Sequence, residues 1–293
     1  MIGVLSNLLV KLLCIFVISA TFNNSLLGLV AITAAENPSA SVIRNRPTTA
    51  KTSNGNSTYS NMTNVDQDKS KNASEAAQII RNSQVVCFDV DSTVIREEGI
   101  DELAKFCGKG QEVARLTKEA MKGSMTFQEA LRLRLNIIKP SQKQIRDFLK
   151  AHPSTLSTGI KELVHSLRAR QIKVCLISGG FDCLIEPVAT ELGIPVENMF
   201  ANKLQFYFNG EYAGFDTNQP TSRSGGKGEA INTIRKELAD NAYITMVGDG
   251  ATDLEASPPA DSFVGYGGNI VRDEVRNGAD YYITDFEKLT QAL

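Results

Sequence analysis

QVVCFDVDST, residues 84–93, carries the chain from an unbroken apolar run, Val85 to Phe88, into two aspartates, Asp89 and Asp91. The run has the composition of a strand buried on both faces, and an unpaired carboxylate at its end would cost several kcal/mol of lost solvation. Something must offset that cost. Residues i and i+2 of an extended chain project to the same side, so Asp89 and Asp91 face one point if the backbone stays extended through the strand's end. Turn and helix-capping hydrogen bonds would satisfy them, and so would a divalent cation held between the carboxylates.

Three more stretches end in the same way. IKVCLISGG (172–180), AYITMVGDG (242–250) and DSFVGYGG (261–268) each run from apolar residues into a Gly or Asp cluster. Separated by segments of helical period, they predict an α/β fold with a parallel, Rossmann-like sheet core, and ligands of open sheets bind at the carboxyl edge. The interval between the first two strands is too long for a simple crossover. Residues 97–158 have helical character, broken near Gly108-Lys109-Gly110, Gly123 and Pro140, and predict an inserted helical cap. Within it FQEALRLRLNII (127–138) sets Phe127, Leu131 and Ile138 along one face and leaves Arg134 among the charged residues. LQFYFNGEYAGFD (204–216) alternates apolar and polar residues about Asn209-Gly210, which predicts a small β-hairpin flap.

The chain of 293 residues is 42% hydrophobic, enough for a sizeable core, and its formal net charge is -2. It lacks the basic stripe that tracks nucleic acid, so no nucleic-acid partner is expected. Its five cysteines, Cys14, Cys87, Cys107, Cys175 and Cys183, form no CxxC pair and suit free thiols in a reducing compartment better than a zinc or disulfide framework. Cys87 and Cys175 fall inside strand-like runs, where cysteine acts as a small hydrophobe. His152, beside Pro153, and His165, on an amphipathic helix, are expected to take no part in catalysis.

The N-terminal quarter differs in kind. Residues 1–35 hold two apolar runs, LLCIFVISAT after Lys11 and LLGLVAITAA, interrupted by Asn23-Asn24-Ser25. A secretory signal, an organelle presequence and a membrane anchor all fit this apolar targeting segment, as does a disordered extension. Residues 36–74, rich in Asn, Ser and Thr, are expected to form a disordered linker, and Asn56, Asn61 and Asn72 open glycosylation sequons within it. The catalytic domain is expected over 75–293. A cytoplasmic location is favoured for that domain, with organelle import or secretory entry through 1–35 left open.

The remaining candidates gather at the strand ends. GDGATD (248–253) contributes Asp249 and Asp253, which with Asp89 and Asp91 form an acidic cluster suited to magnesium. LISGG offers Ser178 and the backbone N–H groups of Gly179 and Gly180, and SGGKG (224–228) places Lys227 ahead of a helix; both suit phosphate oxygens.

In this order, FDVDST, LISGG, SGGKG and GDGATD resemble the four motifs of the haloacid dehalogenase superfamily, and the resemblance runs over about 84–293. Within the superfamily it is closest to the branch that hydrolyses O-phospho-L-serine. The resemblance implies Asp89 as the nucleophile that becomes an aspartyl-phosphate, and Asp91 as the acid and then the base. It implies one Mg2+ per subunit, held by Asp89, Asp249 and the backbone carbonyl of Asp91, with Asp253 orienting these ligands. Ser178, Gly179, Gly180 and Lys227 would hold the phosphoryl group, with Thr252 beside it. Glu98 in REEG would face the substrate's ammonium, with Glu97 turned elsewhere, and Arg134 would grip its carboxylate. Met121 and Lys122 belong to a pocket turn, where AMKG departs from the family's AMGG. The resemblance also implies the last step of L-serine biosynthesis and a homodimer. Phosphohomoserine and phosphoethanolamine are rival substrates, and a binding protein that keeps the fold without turnover is the alternative of another class.

Overall fold

The computed structural model describes residues 63–120, 125–153 and 155–293. The targeting segment 1–35, most of the expected linker, and the pocket-turn residues Met121 and Lys122 lie outside the described residues.

The linker expectation needs correction at its C-terminal end, because a helix, α1, spans Thr63–Asn82. Ala73, Ala76, Ala77 and Ile80 recur at i, i+3, i+4 and i+7 and are buried. That apolar stripe outweighs the polar composition around it. It packs α1 against the sheet's last strand, β8 (Tyr281–Ile283), and the C-terminal helix Phe286–Ala292.

The other strands are β1 (Val85–Phe88), β2 (Lys173–Phe181), β3 (Met199–Asn202), β4 (Leu204–Phe206), β5 (Tyr212–Phe215), β6 (Ile244–Gly248) and β7 (Ser262–Tyr266). Six of the strands form one sheet in the order β3-β2-β1-β6-β7-β8, with every pairing parallel. Alternate side chains enter opposite layers: Val86 and Phe88 join one core with Val174 and Leu176, whereas Val85 and Cys87 join the other with Cys175 and Ile177. Burial on both faces explains why these strands read as continuous apolar runs. Register pairs Phe88 with Leu176 on one side and Val247 on the other, so β1 ends one residue before β6 does, while β2 runs on to Phe181. The chain leaves β1 toward β2 and returns beyond it to β6, which makes the β1/β6 boundary the topological switch point where such sheets bind ligands.

Between β1 and β2 the chain forms α2 (Gly99–Phe106), α3 (Gly110–Glu119), α4 (Phe127–Ile138) and α5 (Gln142–Ala151), then α6 (Ile160–Ala169), which returns to the sheet. The first four bury a core of their own around Leu103, Leu131, Leu135 and Phe148, which also takes in Phe181 and Leu184 from the sheet side. Thr126 caps α4 by accepting from the Glu129 amide, and Ser141 with Gln144 forms a capping box on α5. The insertion joins the sheet domain through two adjacent crossings, bridged at Ile95 and Leu156. Hydrogen bonds from Arg96 N to Thr155 O (3.0 Å) and from Ser157 N to Val94 O (2.9 Å) zip them together.

β4 and β5 form the antiparallel hairpin predicted around Asn209-Gly210. The Gln142 amide donates to Gly210 O at 2.9 Å, tying the hairpin to α5. Edge strands β3 and β8 have no counterpart among the sequence expectations, being short and only partly apolar. Among the described residues no helix is long and apolar enough to cross a membrane.

Candidate active site

Asp89 leaves the end of β1 with its amide bonded to Val247 O at 2.9 Å, so β6 fixes the direction in which the residue departs. The backbone is extended at Asp89 (φ -65, ψ 159) and again at Asp91 (φ -63, ψ 132) but not at Val90 between them, where a single irregular turn, Val90–Val94, begins, and it bends sharply at Ser92, which has φ 57 and ψ 2. Asp89 and Asp91 both border one cavity of about 220 Å³, along with Lys227, Asp249 and Thr252. This is small beside the roughly 300–1,000 Å³ of drug-sized pockets and suits a compact ligand.

Lys227 lies in the first turn of α7 (Gly226–Arg235). A Cβ at Gly226 would collide with the Pro220 carbonyl, so glycine alone permits this helix start. Lys227 Nζ stands 2.7 Å from Asp89 Oδ1 and 2.5 Å from Asp253 Oδ1. Burial pulls the ammonium's pKa down, but Asp253 and Asp89 outweigh it and raise the pKa above the usual lysine value. Asp253, fully buried, also accepts from the Gly250 amide at 2.9 Å.

Burial, then the charges of Glu98 and Asp89, pushes Asp91 up to about 7. Its Oδ1 accepts from the Gly99 amide at 2.7 Å, and Ser178 Oγ approaches its Oδ2 at 3.4 Å. Asp249 accepts from Thr93 Oγ1 at 3.0 Å and from Arg272 Nε at 2.9 Å; burial foremost and then Asp89 push it up to about 6. The same two causes push Asp253 up to about 7.

Oxygens of Asp89, Asp249 and Asp253 lie within 4.8 Å of one another. Hard, anionic oxygens crowded in a buried site fit a magnesium ion. Each of the three already has a partner, Lys227 on Asp89 and Asp253, the Gly250 amide on Asp253, and Thr93 and Arg272 on Asp249, so the trio as a whole marks the candidate cation position. The Asp91 carboxylate stands outside the trio.

The cavity is also lined by Glu98, Arg134, Ile100 and Phe127. Glu98 Oε1 accepts from Ser92 Oγ at 2.7 Å and lies 3.4 Å from an Arg272 nitrogen. Burial lowers the pKa of Arg134 against the opposing charges of Asp101, Glu98 and Asp91. Glu97 turns away to bond the Thr155 backbone and hydroxyl.

Gly179 and Gly180 line the cavity, and a Cβ at Gly180 would come 2.9 Å from Asp91 Oδ2. Ser178 is fully buried behind them, its hydroxyl accepting from the Gly180 amide at 2.9 Å, and it does not line the cavity. Sequence reasoning missed Arg272, which borders the cavity from the loop after β7 and joins Asp249 to Glu98. It stands in none of the motifs, and the preceding Gly267-Gly268 was the sole local hint of a functional loop. Asn202 was also missed; it donates to Gly179 O at 2.8 Å and supports that turn from β3.

A parallel sheet with acidic strand ends, a buried lysine and an inserted helical layer defines a class of hydrolase, and residues 84–261 match the haloacid dehalogenase-like hydrolase family. A phosphoserine phosphatase of Drosophila melanogaster is 66% identical over 214 residues, covering 73% of this chain and 79% of the relative. That of Homo sapiens is 53% identical over 220 residues, covering 75% and 97%. A solved phospho-aspartyl intermediate analogue of phosphoserine phosphatase superposes with a TM-score of 0.61 at 27% identity, covering 72% of this chain and 99% of that one. The chain belongs to the phosphoserine phosphatase family of the haloacid dehalogenase-like hydrolases.

Proposed function

We propose that the protein hydrolyses O-phospho-L-serine to L-serine and phosphate through an aspartyl-phosphate on Asp89, with magnesium as cofactor. One observation carries this reading. A single small cavity brings Asp89, Asp91 and Lys227 together with Glu98 and Arg134, a set complementary to a phosphate, an ammonium and a carboxylate on one compact molecule.

Asp89 attacks phosphorus, forming an O–P bond as the bond from phosphorus to the serine oxygen breaks. Lys227 and the N–H group of Gly179 stabilise charge on the phosphoryl oxygens, with Thr252 beside them and Ser178, which accepts from the Gly180 amide, bracing the turn from behind. Asp91 gives its proton to the departing serine oxygen. It then takes a proton from water, which attacks phosphorus and releases Asp89 and phosphate. In this reading Asp89, Asp249 and the Asp91 carbonyl would hold magnesium, which when bound would screen the repulsion between carboxylate and phosphate. Glu98 receives the ammonium and Arg134 the carboxylate, the latter as a two-pronged fork. Met121 and Lys122, which lie outside the described residues, enter this reading through the family resemblance alone.

The reaction then forms the last step of L-serine biosynthesis, carried out by a homodimer. Cys87, Cys107, Cys175 and Cys183 are free thiols, which supports a reducing, cytoplasmic setting for the catalytic domain. The test is phosphate release from O-phospho-L-serine with and without magnesium, alongside Asp89→Asn. Metal-dependent release abolished by the substitution is expected; a folded, magnesium-supplied protein that releases none would overturn the reading.

A further inference from the structure

We infer that Asn269 is a positioning residue for substrate selection: it holds Ser92, and through Ser92 it aims Glu98 at the cavity. This deepens the functional reading above and rests on it for the role of Glu98.

Asn269 follows β7 and precedes Arg272 on the same loop. Its amide nitrogen donates to Ser92 O at 3.0 Å, Ile95 O at 3.3 Å and Ser157 Oγ at 2.7 Å. An amide NH2 has two hydrogens, so Ser92 O and Ser157 Oγ, at the shorter distances, are its main partners. Ser92 is buried and holds a left-handed backbone, φ 57, which disfavours any residue with a Cβ. Its other polar groups bond within its own loop, N to Glu97 O at 3.1 Å and Oγ to Glu98 Oε1 at 2.7 Å. Asn269 thus reaches the Ser92 carbonyl from outside that loop. Without it, Ser92 can relax toward a right-handed backbone, and its hydroxyl leaves Glu98.

The same amide reaches both crossings into the helical insertion. Ile95 belongs to the first crossing and Ser157 to the second, and Ser157 Oγ also donates to Thr93 O at 2.6 Å. Asn269 therefore also sets the base from which the insertion carries Arg134. Lys227, which faces the phosphate, stands on another helix, and Asp89, although only three residues before Ser92, is held separately by its amide bond to Val247 O at 2.9 Å. Loss of Asn269 should therefore weaken recognition of the amino-acid end more than phosphoryl transfer itself.

The experiment compares Asn269→Ala and Asn269→Asp with the unaltered protein on O-phospho-L-serine and on p-nitrophenyl phosphate, which has no amino-acid end. The Asp variant keeps the side chain's shape but removes both donors. Loss of one hydrogen bond to a partly buried group predicts a fall of roughly tenfold in kcat/KM for O-phospho-L-serine, carried mainly by KM, while p-nitrophenyl phosphate turnover stays within about twofold. Equal losses on both substrates, or none, overturn the inference. Hydrogen exchange gives a readout that needs no substrate: amides of residues 92–99 should exchange faster in both variants at an unchanged melting temperature. Unaltered exchange there also overturns it. Failure of the unaltered protein to hydrolyse O-phospho-L-serine would fault the functional reading, and the exchange result would still decide whether Asn269 holds Ser92.

Discussion

Lys227 Nζ stands 2.7 Å from Asp89 Oδ1, and both side chains are nearly sealed, at 8% and 11% exposure. The lysine holds the carboxylate's orientation and offsets part of its charge. It also faces the cavity, where a phosphate oxygen can share the same ammonium. Its second carboxylate, Asp253, fixes the ammonium from behind, so Lys227 needs no rearrangement when substrate arrives.

Replacing Lys227 with Met should therefore damage both stability and turnover. Removing one partner of a buried pair costs about 3–5 kcal/mol, and losing a preorganised donor to the reacting group costs roughly 100- to 1,000-fold in kcat. Urea unfolding without metal and phosphate-release kinetics would measure the two effects separately; a variant of unchanged stability would refute the structural role.

Magnesium should stabilise the protein as well as activate it. Asp89, Asp91, Asp249 and Asp253 crowd around Lys227 and Arg272, leaving negative charge in excess. A cation that binds only the folded state at 100 times its Kd adds about 2.7 kcal/mol. Calorimetric scans with and without the metal should show a higher Tm with it, and Asp249→Asn should abolish the increment.

Arg134→Ala should separate the substrates. The arginine lines the cavity and is assigned to the substrate's carboxylate, so O-phospho-L-serine should lose on the order of 100-fold in kcat/KM through a charge-assisted contact, and p-nitrophenyl phosphate far less. Parallel losses would remove the carboxylate from the assigned contacts.

Arg272→Ala should act on two properties at once, because one guanidinium holds Asp249 at 2.9 Å and reaches Glu98 at 3.4 Å. Metal affinity and the KM for O-phospho-L-serine should both change. Lysine, a point charge without the planar fork, should restore them incompletely. Titration calorimetry with magnesium, paired with steady-state kinetics, would test the coupling.

Cys183 should resist alkylation in the folded protein. Burial, reinforced by the neighbouring Asp182 charge, pushes its thiol up to about 12, so the reactive thiolate is scarce at pH 8. Mass spectrometry after iodoacetamide treatment should show slow labelling that speeds up as pH rises toward 12 or on unfolding. Rapid labelling of the native protein at pH 8 would contradict this environment.

Asp89, Asp91 and Asp249 were legible because a strand end is a local feature: an apolar run announces the strand, and the residues after it meet the sheet's edge; Lys227 was legible from SGGKG at the start of a helix instead. Glu98 and Arg134 emerged only through the family resemblance, since a helix face shows which residues are polar without showing what they face. Glu97 and Glu98 are adjacent, and contacts from elsewhere separate them: Thr155 draws Glu97 away, while Ser92 and Arg272 hold Glu98 at the cavity.

The apolar periods of this chain were sufficient to specify a parallel sheet, its helical insertion and its hairpin, because alternation and helical spacing follow from backbone geometry within a few residues. Arg272 and Asn269 took their meaning from folding alone. Their partners Glu98 and Ser92 lie 174 and 177 residues away along the chain, and hydrogen bonds over such separations exist only once β1 and β7 occupy the same sheet.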